Sequence, residues 1–222
     1  MLGTILALAP PCFAQREFTS NDGKKLRAEI VGASESDVTL KRTTDGKEFT
    51  IPLNRLSEED QSVVEAWLAK KKRNTRSRRQ LALSLKGGQT KTVEIPEGDY
   101  LTEDGTLTIF PGDTIHLEFD EAGKPHVVSE VKQPKRTITF SMSQEEDITM
   151  LTRKTQMQET VAMDCTHRGL GSDKFSRTNL RPTEKGLASF DSWPGTVWTL
   201  RLSDLEVTDR PASEVYQERV SK

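Results

Sequence analysis

The chain has 222 residues and a mass of 24.9 kDa; 33% are hydrophobic, 6% aromatic and 30% charged, enough for one large domain or two small ones. With 32 Lys and Arg against 34 Asp and Glu, and a mean hydropathy of -0.62, the composition excludes a polytopic membrane protein and a chain disordered throughout. Only 3 His and 2 Cys are present, which argues against most metal-based and nucleophile-based enzymes.

Residues 1–14 read as a signal peptide. Met1 to Ala14 is an uncharged apolar run, and Cys12 and Ala14 supply small residues three and one positions before a cleavage point at Gln15. The run is too short to span a membrane, and Pro11 before Cys12 argues against lipid attachment. The expected location is secreted or periplasmic, in a bacterial envelope. Cleavage would leave Cys165 as the single cysteine, with no intrachain disulfide available. Its alternation with Val161 and Met163 predicts a buried thiol.

Residues 15–69 form the first expected module. Asp22-Gly23 marks a turn beside Leu26, Ala28 and Ile30, which alternate with charged residues; the pattern repeats around Asp45-Gly46 with Val38, Leu40, Phe49 and Ile51. Four or five short antiparallel strands predict a small barrel. Ser57-Glu-Glu-Asp60 then opens a helix with acidic residues in its first turn. Val63, Val64, Trp67 and Leu68 form one apolar stripe, so Trp67 is expected to pack the helix on the barrel. Arg16-Glu-Phe18, Asp22-Gly23-Lys24, Leu26 to Ile30, Val38 to Lys41, Ile51-Pro52-Leu53 and Leu56-Ser-Glu-Glu-Asp60-Gln61 together resemble the Sla homology domain type one. The match covers about 55 of 222 residues. The resemblance implies an SH3-like barrel of a kind widespread in secreted bacterial proteins. In the eukaryotic adaptor that gave the family its name, the module recognises a short peptide sorting signal; the resemblance supplies no ligand for bacterial members.

Residues 70–80 read as a basic linker carrying Lys70, Lys71, Lys72, Arg73, Arg76, Arg78 and Arg79. Without these seven the chain has 25 positive against 34 negative charges, a formal net of -9. Two readings stand: a solvated helix end and spacer, or a contact to a polyanion such as anionic lipid, polysaccharide or cell-wall polymer. Export disfavours nucleic acid.

From residue 81 to 208 the apolar period is two: Leu81, Leu83 and Leu85; Leu107 and Ile109; Ile115, Leu117 and Phe119; Ile138, Phe140 and Met142; Val161, Met163 and Cys165; Trp198, Leu200 and Leu202. Turn signals between them, such as Asp104-Gly105 and Pro111-Gly112-Asp113, predict an antiparallel β-sandwich. A capping box at Ser143 to Glu146 predicts at most a short helix, the Thr-rich stretch after it favouring strand. Residues 209–222 are expected to be a polar tail. Trp193, in a Pro-Gly loop, is either a stacking platform for a ligand or a cover for the end of the sandwich.

His116, His126, Cys165 and His167 invite a test for copper or zinc, but Cys165-Thr-His167 is too tight for the usual ligand loop and no Met follows it. No catalytic, metal-ligating or cofactor-binding residue is assigned, and no cofactor is expected. The sequence thus predicts a mainly β protein, an SH3-like barrel with a C-terminal helix followed by a sandwich. Its expected function is non-catalytic recognition of a peptide, protein or envelope polymer. The alternative is a periplasmic metal-dependent or hydrolytic enzyme housed in the sandwich.

Overall fold

The computed structural model describes residues 15–221, so the expected signal peptide lies outside the described residues. The fold is mainly β, built of antiparallel sheets with two α-helices, and divides after Lys72 into two compact units.

In the first unit β1 (Arg16–Thr19), β2 (Lys25–Ala33), β3 (Asp37–Arg42) and β4 (Glu48–Pro52) pair in sequence order. Gly23 and Gly46, at φ of 80° and 70°, occupy the left-handed conformation that the two Asp-Gly turns require. The alternation then sends Phe18, Ala28, Ile30, Val38 and Leu40 inward, where they meet Leu56 and Val64. Helix α1 (Glu58–Asn74) packs its stripe on this core, with Val63, Trp67 and Leu68 half-buried against it. At its start the Asp60 amide donates to Ser57 Oγ at 3.3 Å, and the Ser57 hydroxyl donates to Asp60 Oδ2 at 2.9 Å.

The second unit contains β5 (Thr75–Arg76), β6 (Arg79–Leu85), β7 (Gln89–Ile95), β8 (Gly98–Asp99), β9 (Leu107–Ile109), β10 (Thr114–Phe119), β11 (Pro125–Val128), β12 (Thr137–Glu145), β13 (Ile148–Thr155), β14 (Thr160–Gly169), β15 (Ser176–Thr178), β16 (Ala188–Pro194), β17 (Val197–Thr208) and helix α2 (Ala212–Val220). Five strands form one sheet in the order β11-β10-β12-β13-β16, and four form another in the order β15-β14-β17-β9. Strands β6 and β7 make a separate hairpin, and β5 pairs with β8. Inward side chains of both large sheets share one buried cluster, from Ile115, Leu117, Phe140 and Leu151 on the first to Val161, Met163, Leu200 and Leu202 on the second.

Several elements depart from the sequence expectation. Residues 70–80 are no free linker: α1 continues to Asn74, residues 75–76 form β5, and β6 begins at Arg79. Asn74 explains the continuity, because its side chain both donates to Leu101 O at 2.7 Å and accepts from Leu101 N–H at 2.9 Å. The expected polar tail folds as α2, held by buried Val215 and by Arg219, which pairs with Asp164 at 2.9 Å and Glu206 at 3.0 Å. The capping box at Ser143 does not open a helix. Ser143 to Glu145 end β12, and Glu146, at φ of 50°, turns the chain into β13, because eight cross-strand pairs outweigh a local cap.

Candidate functional site

The seven basic residues differ in burial. Lys70, Lys71, Lys72 and Arg73 lie exposed on the last turns of α1, and Arg78 is exposed opposite Glu94, 3.8 Å away. Arg76 is 4% exposed. Its guanidinium lies 4.4 Å from the centre of the Phe110 ring and 5.5 Å from that of Tyr100, and its Nε donates to Pro96 O at 2.9 Å. Burial pushes the Arg76 pKa down, and the Asp113 charge opposes that shift. Arg79 reaches the same Asp113 at 2.6 Å. These two arginines serve the interior of the second unit rather than a surface polyanion site.

Trp193 is 9% exposed and sits in the core, its indole N–H directed at Thr178 Oγ1 at 3.4 Å, so its ring is not an exposed platform. The histidines are dispersed. His116 meets Thr139 Oγ1 at 2.9 Å and His126 faces Glu118 at 3.6 Å on the five-stranded sheet, while His167 lies on β14, 6.2 Å from the Trp193 ring. Cys165 is 1% exposed, and desolvation, reinforced by the Asp191 charge, pushes its thiol up to about 12. At neutral pH it is therefore a thiol, not the thiolate that nucleophilic chemistry needs.

A concavity lies elsewhere, in a cleft of about 490 Å³ whose walls include Arg153, Arg181, Phe190, Asp191, Tyr216 and Gln217. Strand periodicity builds its floor. Along β13 the residues Thr149, Leu151, Arg153 and Thr155 all face inward, so an arginine occupies a core position beside Phe140 on one flank and Ser189 on the other. Its side chain is 1% exposed, and it donates from Nη1 to Arg181 O at 2.8 Å and from Nη2 to Asp191 Oδ2 at 2.6 Å. Such a pair is strong when its geometry is good, and costly when one member is lost.

The carbonyl contact ties β13 to the segment before Thr183, which exchanges two backbone hydrogen bonds with Val161 of β14. Arg153 thus joins the two large sheets at the side where the cleft opens. On the rim Leu187 and Phe190 are 53% and 65% exposed, and the Arg181 guanidinium lies 5.8 Å from the centre of the Tyr216 ring. Apolar rim, aromatic wall and a fixed charge pair below suit a ligand that combines an apolar group with polar ones.

Sequence reasoning missed this cleft. The Arg153 position is readable only once Thr149 and Thr155 are counted as inward residues, and an apolar-only periodicity skips both. Comparison with models of protein families, with curated proteins and with solved structures finds no match to the chain.

Proposed function

We propose that the protein is an exported, non-catalytic binding protein. In this reading the first unit is an SH3-like barrel of the Sla homology kind, the second is an antiparallel sandwich, and the cleft lined by Phe190 and Tyr216 receives the ligand. The observation that carries the reading is the cleft itself: a concavity of about 490 Å³ with exposed Leu187 and Phe190 above a buried Arg153–Asp191 pair. The nearby thiol of Cys165, held protonated, supports binding over nucleophilic catalysis. Export rests on the apolar run before Gln15. Mass spectrometry of the envelope fraction is expected to return a chain beginning at Gln15, and an intact Met1 chain in the cytoplasm would overturn it.

The exposed basic residues Lys70, Lys71, Lys72, Arg73 and Arg78 supply a second, unselective attraction to anionic envelope surfaces. Each contributes about 1 kcal/mol near such a surface at moderate salt, and the attraction is screened over about 8 Å at physiological ionic strength. Changing these five to Gln is expected to abolish sedimentation with vesicles rich in anionic lipid while leaving thermal unfolding unchanged. Arg76 and Arg79 are excluded from that set, since their replacement disturbs the second unit. Binding that survives either the five changes or high salt would remove the electrostatic role.

A further inference from the structure

We propose that the cleft takes an extended peptide segment of another protein, which adds as a strand to the free edge of β16 and places an acidic side chain against Arg181. This rests on the cleft being the ligand site and names the ligand's chemistry.

The hydrogen-bond phase of the sheet edge is the first ground. Strand β16 ends the five-stranded sheet, and just before it the Thr155 N–H donates to Leu187 O at 3.2 Å. Hydrogen-bonded pairs alternate along an antiparallel ladder. With Thr155 and Leu187 bonded, the next bonded pairs are Arg153 with Ser189 and Leu151 with Asp191. Ala188, Phe190 and Ser192 therefore turn their N–H and C=O groups away from β13, toward the free side. Among the described residues, no hydrogen bond outside the sheet ladder involves these three.

Open edges are ordinarily blunted by lysine, proline, a bulge or a covering segment. Here the only such feature within the strand is Pro194, at its far end. The cleft instead runs along residues 187–191, with Ala212, Ser213 and Tyr216 of α2 lining it as well. A groove between an edge strand and a helix is the arrangement used for strand addition: backbone pairing gives affinity, and alternate side chains give selectivity.

Charge and apolarity then select the peptide. Four charged residues line the cleft: Arg153 is paired with Asp191, whereas the exposed Arg181 and Glu184 make no ion pair among the described residues, and Arg181 instead makes its ring contact with Tyr216. A carboxylate from the added strand completes Arg181. An apolar side chain at an alternate position covers exposed Leu187 and Phe190. Because α2 borders the same groove, a single extended strand fits this edge better than the broad sheet of a second copy.

The test uses the full chain and a labelled octapeptide alternating threonine and valine around one central glutamate. Fluorescence anisotropy is expected to show saturable binding, about tenfold weaker when lysine replaces the glutamate. Arg181→Gln should erase that preference without unfolding the protein. Methylating alternate backbone nitrogens of the peptide removes its donors without altering the protein, and should weaken binding by about tenfold, as for the loss of one or two backbone hydrogen bonds. Ala188→Pro removes an edge N–H at the first residue of the strand, where proline is tolerated, and should act similarly.

Equal binding of the methylated peptide, with amide shifts still confined to residues 187–191, would overturn strand addition but leave the cleft as a ligand site. No shift in those residues with any peptide would overturn both. A chain that sediments as a dimer until Ala188→Pro is introduced would give the edge to a second copy and also overturn the peptide proposal.

Discussion

Asp191→Ala is expected to destabilise the second unit by roughly 3–5 kcal/mol, the range for removing one member of a buried ion pair. Arg153 cannot turn to water, since its side chain is 1% exposed and is already held by Arg181 O. It would keep its charge in the core with one carbonyl in place of a carboxylate. Arg153→Met should cost markedly less, because Asp191, at 20% side-chain exposure, can hydrate and methionine fills the volume left behind. Urea denaturation of the two variants, followed on signals of the second unit, measures the difference. If Asp191→Ala shifts the transition no more than Arg153→Met, the pair is less desolvated than its geometry implies.

The asymmetry also marks what the sequence could and could not convey. Alternation exposed the strands whose inward residues are all apolar: Ile115, Leu117 and Phe119 in β10, Ile138, Phe140 and Met142 in β12, Val161, Met163 and Cys165 in β14. Each is a statement about burial, and burial follows hydrophobicity closely there. The Asp-Gly turns and the Ser57 cap were equally legible, because the chemistry of a turn or cap is local.

Strand β16 was not legible, for its inward residues are Ser189, Asp191 and Trp193 and its most exposed one is Phe190. That inverts the usual pattern, and the inversion coincides with the cleft. Likewise the seven charges of residues 70–80 read as one solvated run, although Arg76 lies over Phe110 and Arg79 meets Asp113. A sequence shows that the charges are adjacent; only the fold shows which have found a partner far along the chain. Helix α2 escaped for a related reason, its hold on the second unit being one buried Val215 and the ion pairs of Arg219.

A similar long-range pairing governs the first unit, where Asp60→Ala is expected to cost about 2–4 kcal/mol. Asp60 is 2% exposed and joins the start of α1 to β1. Its Oδ2 accepts from the Thr19 N–H at 2.7 Å and from the Ser57 hydroxyl at 2.9 Å, while its Oδ1 lies 2.8 Å from Arg16 Nη2. Truncation strips an acceptor from a part-buried amide, a cap and a guanidinium together, and unmade hydrogen bonds of this kind cost about 1–3 kcal/mol each before relaxation. Asp60→Asn keeps an oxygen for Thr19 and should recover about half of the loss. Hydrogen exchange at the Thr19 amide separates this account from a simple helix-propensity effect. Protection there should collapse in the alanine variant and persist in the asparagine one, and salt should change neither, because a carboxylate this buried is poorly screened. If Thr19 stays protected in Asp60→Ala, β1 is held by its pairing with β2 and by the Ser57 N–H bond to Thr19 O, and the helix is tied to the sheet through that bond, Leu56 and Val64 rather than through charge.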